Sequence, residues 1–86
     1  MQEFVYAIQD PDGIHARPAG LLVKKMQEFS SAVTMGRENA AAVDGKKLFA
    51  LMKLRVKKGE NLLVRAEGED EEAAIEAART FLSGNL

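Results

Sequence analysis

The chain has 86 residues, of which 47% are hydrophobic, and a formal net charge of −1. This length predicts a single domain over residues 1–86 with one small core, which leaves no room for a deeply enclosed active site. The near-neutral charge argues against a nucleic-acid partner, because general nucleic-acid binders carry a clear basic excess. The lack of cysteine excludes disulfides and thiolate metal sites, and with one histidine we expect no metal site.

The sequence also lacks the usual features of a membrane protein. No apolar run approaches the roughly 20 residues that a membrane-spanning helix needs. The start, Met1-Gln2-Glu3-Phe4, does not have the basic and then apolar pattern of a secretory signal. We therefore expect a cytoplasmic protein with no membrane insertion.

The first predicted elements are a strand, a turn and a helix. Residues 4–8 form a short β-branched and aromatic run that predicts a strand, and the turn residues at 10–13 end it. Pro18 fits the first turn of a helix, where its missing N–H has no partner to lose. The predicted helix covers residues 16–29, and the apolar side chains that repeat along one of its faces are Ala19, Leu22, Val23 and Met26.

Two short strands are predicted next. They cover residues 32–35 and 40–43, on either side of a turn at 36–39. The second of these segments contains three alanines, which favour a helix. Among the local features, its brevity and its flanking turns predict this strand.

A short apolar segment follows between residues 46 and 55. Leu48, Leu51 and Met52 have helical spacing and can face the core. Phe49 lies off that face, so either it is exposed or a loop partly covers it. A small protein seldom exposes a large apolar side chain without a use, which favours a docking surface here.

The chain ends in a strand and a helix. Residues 62–67 finish in the alternation of a half-buried strand. Asp70 is a candidate N-cap for the last helix, Glu71 and Glu72 lie in its first turn, and Gly84 can end it. Because each helix has an apolar stripe to bury, the simplest packing is a four-stranded sheet with the helices on one side.

His15 is the only histidine, and it stands where the first turn meets the first helix. The free backbone N–H groups of Ala16 and Arg17, with the positive end of the helix dipole behind them, predict an anion site. Arg17 adds a planar cation suited to phosphate. The positive helix end disfavours a second ring proton, so His15 keeps a lone pair for attack on a phosphoryl group. The alternative is a solvent-exposed turn histidine with an incidental arginine.

The heptapeptide Gly13-Ile14-His15-Ala16-Arg17-Pro18-Ala19 resembles the phosphorylation site of the HPr family, the phosphocarriers of the bacterial phosphoenolpyruvate-dependent sugar phosphotransferase system. The resemblance covers essentially the whole chain and includes Lys46-Lys47-Leu48-Phe49, Lys58-Gly59 and Glu67-Gly68-Glu69-Asp70-Glu71. It implies an α+β open-faced sandwich, in which a four-stranded antiparallel sheet carries two long helices and one short helix on one face. The implied order is βαββαβα, which supports the third strand.

The resemblance implies a phosphocarrier and not a self-contained enzyme. His15 would accept a phosphoryl group on Nδ1 from the phosphohistidine of enzyme I and pass it to an enzyme IIA domain. Arg17 and the backbone N–H groups of Ala16 and Arg17 would balance the phosphoryl charge. No cofactor is implied, and we expect a monomer because both partners would dock on one face.

The docking surface is predicted from charge and from the resemblance. Lys24 and Lys25 are either ordinary surface lysines or part of a positive rim near His15 that attracts acidic partners. In the family, the short helix lies beside the histidine and helps to form the partner surface. The residues that we expect to contact partners are Lys24, Lys47, Leu48, Phe49 and Met52.

Lys47 departs from the family pattern. In many relatives from low-GC Gram-positive bacteria, a regulatory serine at the start of the short helix is phosphorylated by an ATP-dependent kinase. Lysine cannot accept that phosphate, and the other serines of the chain (Ser30, Ser31 and Ser83) do not match the motif. We therefore expect no serine-kinase switch.

Asp12 is a second departure, because the family often has Asn, Ser or Thr there. A carboxylate facing His15 could orient the imidazole and favour its cation, but it would repel a bound phosphate. Alternatively, Asp12 caps the turn through its own backbone, and we favour this second interpretation.

Two other functions compete with the sugar phosphocarrier. A regulatory relative, from the nitrogen-related branch or acting as a protein-binding modulator, would use its phosphorylation state as a signal, and Lys47 is compatible with that. An unrelated small enzyme or nucleic-acid module is disfavoured, because the chain has no GxSxG elbow, no complete P-loop and no basic surface with interleaved aromatics.

Overall fold

The computed structural model describes residues 1–86 and contains four strands and three helices in the predicted order βαββαβα. The strands are β1 (Gln2–Ala7), β2 (Ala32–Arg37), β3 (Val43–Asp44) and β4 (Asn61–Glu67). The helices are α1 (Ala16–Met26), α2 (Leu48–Lys53) and α3 (Glu71–Asn85). None of the three is both long enough and apolar enough to cross a bilayer.

The strands form one antiparallel sheet in the order β1-β4-β2-β3, which confirms the predicted open-faced sandwich. β4 is central, and its Val64 pairs with Phe4 of β1 on one side and with Met35 of β2 on the other. Leu62, Val64 and Ala66 are buried, and the residues between them are half-buried or exposed, so β4 turns one face to the core and the other outward, as the alternating sequence predicts.

The helices cover the buried face of the sheet. α1 buries the apolar stripe expected from its sequence, and α3 packs against α1, β1 and β4. The α3 side chains that enter the core are Ala74, Ile75, Ala78 and Leu82. From the short helix, Leu51 is fully buried, while Leu48 and Met52 are partly buried against the core.

The predicted third strand is wrong for its three alanines. β3 has only two residues, Val43 and Asp44, which pair with Met35 and Thr34. Residues 40–42 are exposed and lie outside the ladder, because exposed alanine side chains bury no apolar surface that would fix a strand register. The backbone of residues 41–42 lies against Gly36, in space that a Cβ on that glycine would enter.

Two helix ends also differ from the prediction. α1 ends at Met26 and not at Phe29, because the N–H groups of Glu28 and Phe29 bond to the third preceding carbonyl and tighten the chain into turns. Gly84 does not end α3, which continues to Asn85. The buried side chain of Leu86 and its N–H bond to the Leu82 carbonyl (2.9 Å) draw the helix past the glycine.

Candidate functional site

His15 stands at the N-cap of α1, as its sequence position predicts. Its backbone is extended (φ −123°, ψ 167°), and its carbonyl accepts the N–H of Ala19 at 3.0 Å. The imidazole does not cap the helix, and 39% of the side chain is exposed to solvent. The ring is therefore positioned by a rigid helix start and is still accessible from outside.

Gly13 and Ile14, the two residues before His15, pack against the segment that follows α2. Gly13 has φ +67°, and its N–H bonds to the Asp10 carbonyl at 2.8 Å. The N–H of Ile14 bonds to the Val56 carbonyl at 3.0 Å, and the Ile14 side chain is buried. A Cβ on Gly13 would collide with the Val56 oxygen, so this close approach requires glycine.

Asp10 is the side chain that contacts the His15 ring. Its Oδ2 lies 3.2 Å from Nε2 of His15, and its Oδ1 accepts the N–H of Asp12 at 2.8 Å. Both hydrogen bonds lower the pKa of the Asp10 carboxyl, and the bond from the Asp12 N–H has the larger effect. The main-chain N–H groups of Gln9 and Asp10 donate to the Leu86 oxygen at 2.6 and 2.8 Å, which ties the turn to the end of α3.

Asp12 lies near the histidine but does not bond to it. A carboxylate oxygen of Asp12, one of Asp10 and a ring nitrogen of His15 lie within 4.8 Å of one another. The turn is capped by the Asp10 side chain, which accepts the N–H of Asp12. The prediction that the Asp12 side chain caps this turn is therefore wrong. The spacing of these three side chains would allow them to hold a cation, but exposed acidic groups are common without one. The absence of a metal site therefore stays a prediction.

The anion-binding groups of the site face solvent. Neither the Ala16 N–H nor the Arg17 N–H donates a hydrogen bond within the chain, as expected for the first turn of a helix. The Arg17 side chain is exposed and has no hydrogen-bond or ion-pair partner in the chain. Three donor groups are therefore available to an incoming anion beside the imidazole.

The predicted docking residues are divided between the surface and the edge of the core. Phe49 is 81% exposed, so partial cover by a loop is wrong. Leu48 and Met52 are half-buried, and Lys24 and Lys47 are exposed. Leu21 of α1, which is not among the predicted docking residues, is 53% exposed. It could have been identified as the large apolar residue of α1 that lies off the buried stripe.

Asp10 was also not identified from the sequence. The turn before the histidine contains two aspartates, and the sequence singles out only Asp12 as a possible neighbour of the ring. Which of the two reaches the ring depends on the Leu86 anchor, which joins residues far apart in the chain. The only local signal is the presence of a second carboxylate within five residues of His15.

Comparisons with known proteins identify relatives of this chain. A family model described as the PTS HPr component phosphorylation site matches residues 2–83. The phosphocarrier protein HPr of Borreliella burgdorferi is 46% identical over 67 residues, which are 78% of this chain and 77% of that protein.

Two solved structures extend the comparison. An HPr from Thermoanaerobacter tengcongensis superposes with a TM-score of 0.90 at 36% identity, over 98% of this chain and 93% of that one. Crh of Bacillus subtilis, a catabolite repression protein described as a swapped dimer, superposes with a TM-score of 0.77 at 30% identity, over 94% and 92% of the two chains. The chain therefore belongs to the HPr family of phosphocarrier proteins of the phosphotransferase system.

Proposed function

We propose that His15 accepts a phosphoryl group from the phosphohistidine of enzyme I and passes it to enzyme IIA domains. The observation that carries this proposal is the half-exposed imidazole at the start of α1, with Nε2 against Asp10 and with no partner for Nδ1 within the chain. Such a ring presents one nitrogen to a partner while the other is held in place. The chain acts in the cytoplasm, as a carrier and not as a turnover enzyme.

The groups around His15 suit a bound phosphoryl group. Phosphoryl oxygens on the ring would accept hydrogen bonds from the free N–H groups of Ala16 and Arg17, where the helix dipole favours negative charge. The Arg17 guanidinium can bind two of these oxygens at once. Because the side chain of Arg17 is bound to nothing else, it is free to follow the phosphoryl group as it arrives and leaves.

Partner docking involves the exposed apolar side chains of α1 and α2. Phe49 and Leu21 are the most exposed large apolar side chains of these two helices, which pack against each other. Lys24 and Lys47 add positive charge, which suits acidic partner surfaces and speeds encounter. Leu48 and Met52 complete the surface at its half-buried edge. One face would then serve both partners in turn, which fits a monomer.

We also propose that no serine kinase regulates this chain at the start of α2. Lys47 is the N-cap of α2 and is exposed, so the position that carries a regulatory serine in many relatives carries a cation. A phosphoprotein map that placed phosphate within residues 46–54 would contradict this point.

A regulatory role is the second candidate, and the similarity to Crh favours it. Crh is a catabolite repression protein and a dimer, so a relative of the same fold need not carry sugar flux or stay monomeric. Light scattering of the purified chain tests the monomer directly. A dimer at micromolar concentration would contradict the expected monomer.

Intact-mass spectrometry, after incubation with phosphoenolpyruvate and a catalytic amount of enzyme I, tests the carrier proposal. We expect a single acid-labile phosphoryl adduct on the wild-type chain and none on His15→Ala. A second carrier of known activity serves as the control for enzyme I. With that control positive, an unmodified wild-type chain would contradict the proposal.

A further inference from the structure

We propose that Asp10 is a positioning residue for phosphoryl transfer, whose carboxylate keeps the His15 proton on Nε2 and the lone pair on Nδ1. The same carboxylate then stabilises the positive charge that the ring gains on phosphorylation. The transfer step rests on the proposed carrier function, while the ring tautomer can be measured without any partner.

The contact itself selects the tautomer. Oδ2 of Asp10 lies 3.2 Å from Nε2 of His15, and an ionised carboxylate can only accept a hydrogen bond. In the neutral ring, one nitrogen carries hydrogen and the other has the lone pair, so a donor at Nε2 leaves the lone pair on Nδ1. No other group in the chain bonds to the ring, so Asp10 alone makes this selection.

Asp10 is held tightly enough to orient the ring. Its N–H donates to the Leu86 oxygen at 2.8 Å, and its carbonyl accepts the Gly13 N–H at 2.8 Å. Its Oδ1 accepts the Asp12 N–H at 2.8 Å, which fixes the carboxylate plane and leaves Oδ2 for the histidine. The hydrogen bonds from Asp12 and His15 also hold the pKa of this carboxyl below its usual value, so it is ionised at neutral pH.

The transfer step is balanced without an external proton. The Nδ1 lone pair forms the new N–P bond, the P–N bond of the donor phosphohistidine breaks, and its electron pair stays on the donor nitrogen. The His15 ring keeps its Nε2 proton and becomes cationic, with Asp10 as the counter-ion. When the phosphoryl group leaves, the N–P electron pair returns to Nδ1 and the neutral ring is restored with the same tautomer.

The geometry suggests a variant that reverses this selection. In Asp10→Asn, the amide oxygen can keep the Asp12 N–H bond, so the amide nitrogen takes the place of Oδ2 and faces Nε2 as a donor. Nε2 must then accept, and the ring proton moves to Nδ1. Asp12→Asn is the matched control, because the Asp12 carboxylate lies nearby and makes no hydrogen bond to the ring.

The readout is the pair of ring ¹⁵N signals in a long-range ¹H–¹⁵N correlation spectrum, recorded above the pH at which the ring protonates. We expect the Nε2–H tautomer in the wild type and in Asp12→Asn, and the Nδ1–H tautomer in Asp10→Asn. Phosphoryl acceptance from enzyme I should fall roughly tenfold in Asp10→Asn, the loss expected for one hydrogen bond to a charged group. Unchanged backbone amide spectra show that the variant is folded, and Asp10→Ala, which removes any side-chain donor or acceptor, should give a mixture of tautomers.

Two results would overturn the inference. One is an Asp10→Asn ring that keeps the wild-type tautomer, and the other is a reversed tautomer with an unchanged rate of phosphoryl acceptance. If no variant and no wild-type chain accepts a phosphoryl group, the carrier function fails, while the ¹⁵N signals still decide whether Asp10 sets the tautomer.

Discussion

The backbone of Gly13 lies directly against the carbonyl of Val56, in space that no side chain could share. The contact packs the segment after α2 against the turn that precedes His15. Gly13 also has φ +67°, a conformation that a residue with a Cβ adopts only at a cost.

Gly13→Ala should therefore destabilise the chain by about 3 kcal/mol, from the backbone conformation and the collision together. Gly59 provides a matched control, because it has φ +86° and open space around its Cα. Gly59→Ala should cost only about 1 kcal/mol. Urea unfolding measures both, and equal losses would show that the Val56 contact contributes nothing.

Asp70 should make stability sensitive to acid. Its carboxylate does not cap α3, and it accepts the N–H groups of Ser30 and Ser31 at 2.9 Å and the Ser31 hydroxyl. These hydrogen bonds lower the pKa of Asp70 from 3.8 to about 2, and the bond from the Ser31 hydroxyl has the largest effect. A lowered folded-state pKa contributes stability above the unfolded value, and this contribution is lost as the pH falls from about 4 towards 2.

The corresponding measurement is the urea midpoint at about pH 7 and about pH 3. Asp70→Asn should lower the midpoint at neutral pH and show a smaller drop on acidification than the wild type. Glu69→Gln is the control, because that neighbouring carboxylate makes no hydrogen bond or ion pair in the chain. A wild-type and an Asp70→Asn chain with the same acid sensitivity would rule out the Asp70 network as its source.

Arg17→Lys should slow phosphoryl acceptance without affecting the fold. Lysine keeps the charge but cannot bind two phosphoryl oxygens in one plane, and we expect a loss of roughly tenfold in rate. The exposed Arg17 side chain has no partner in the chain, so the free energy of unfolding should change by less than about 0.5 kcal/mol. Quenched-flow phosphorylation and urea unfolding give the two values, and a full rate in the lysine variant would mean that charge alone suffices.

Asp12→Asn should speed phosphoryl uptake. The Asp12 carboxylate lies within 4.8 Å of a ring nitrogen of His15 and makes no bond to it, so its charge opposes an incoming phosphoryl group. We expect a rate increase of a few-fold, about what a single partly screened charge contributes. The gain should shrink at high salt, because salt screens exposed charges. A rate that is unchanged at low salt would show that this carboxylate does not act on the transfer.

Phe49→Ala should weaken partner binding and leave stability nearly unchanged, because the side chain is 81% exposed. Loss of an aromatic anchor at an interface would raise the Kd for enzyme I by roughly tenfold or more, measured by titration calorimetry. Leu51→Ala serves as the contrasting variant, since Leu51 is fully buried. It should cost about 2–5 kcal/mol in unfolding free energy. An unchanged Kd for Phe49→Ala would remove this residue from the docking surface.

The features that follow from local pattern were predictable from the sequence. The stripe of α1 and the turn before His15 are local, and each is encoded within a few residues. Brevity, flanking turns and the family order predict a strand at 40–43, but no local pattern shows that the backbone of residues 41–42 packs against Gly36. Asp10 was missed for the same reason, because its position depends on the Leu86 oxygen at the other end of the chain.

A phosphocarrier must pass its phosphoryl group on and not merely hold it. The direct measurement starts from the phosphorylated chain, freed of enzyme I and mixed with an enzyme IIA domain in equal amount. Intact-mass spectrometry should then show the phosphoryl adduct leaving the chain and appearing on the enzyme IIA domain within the mixing time. If the adduct stays on His15 while another phosphocarrier donates to the same domain, the carrier function is contradicted.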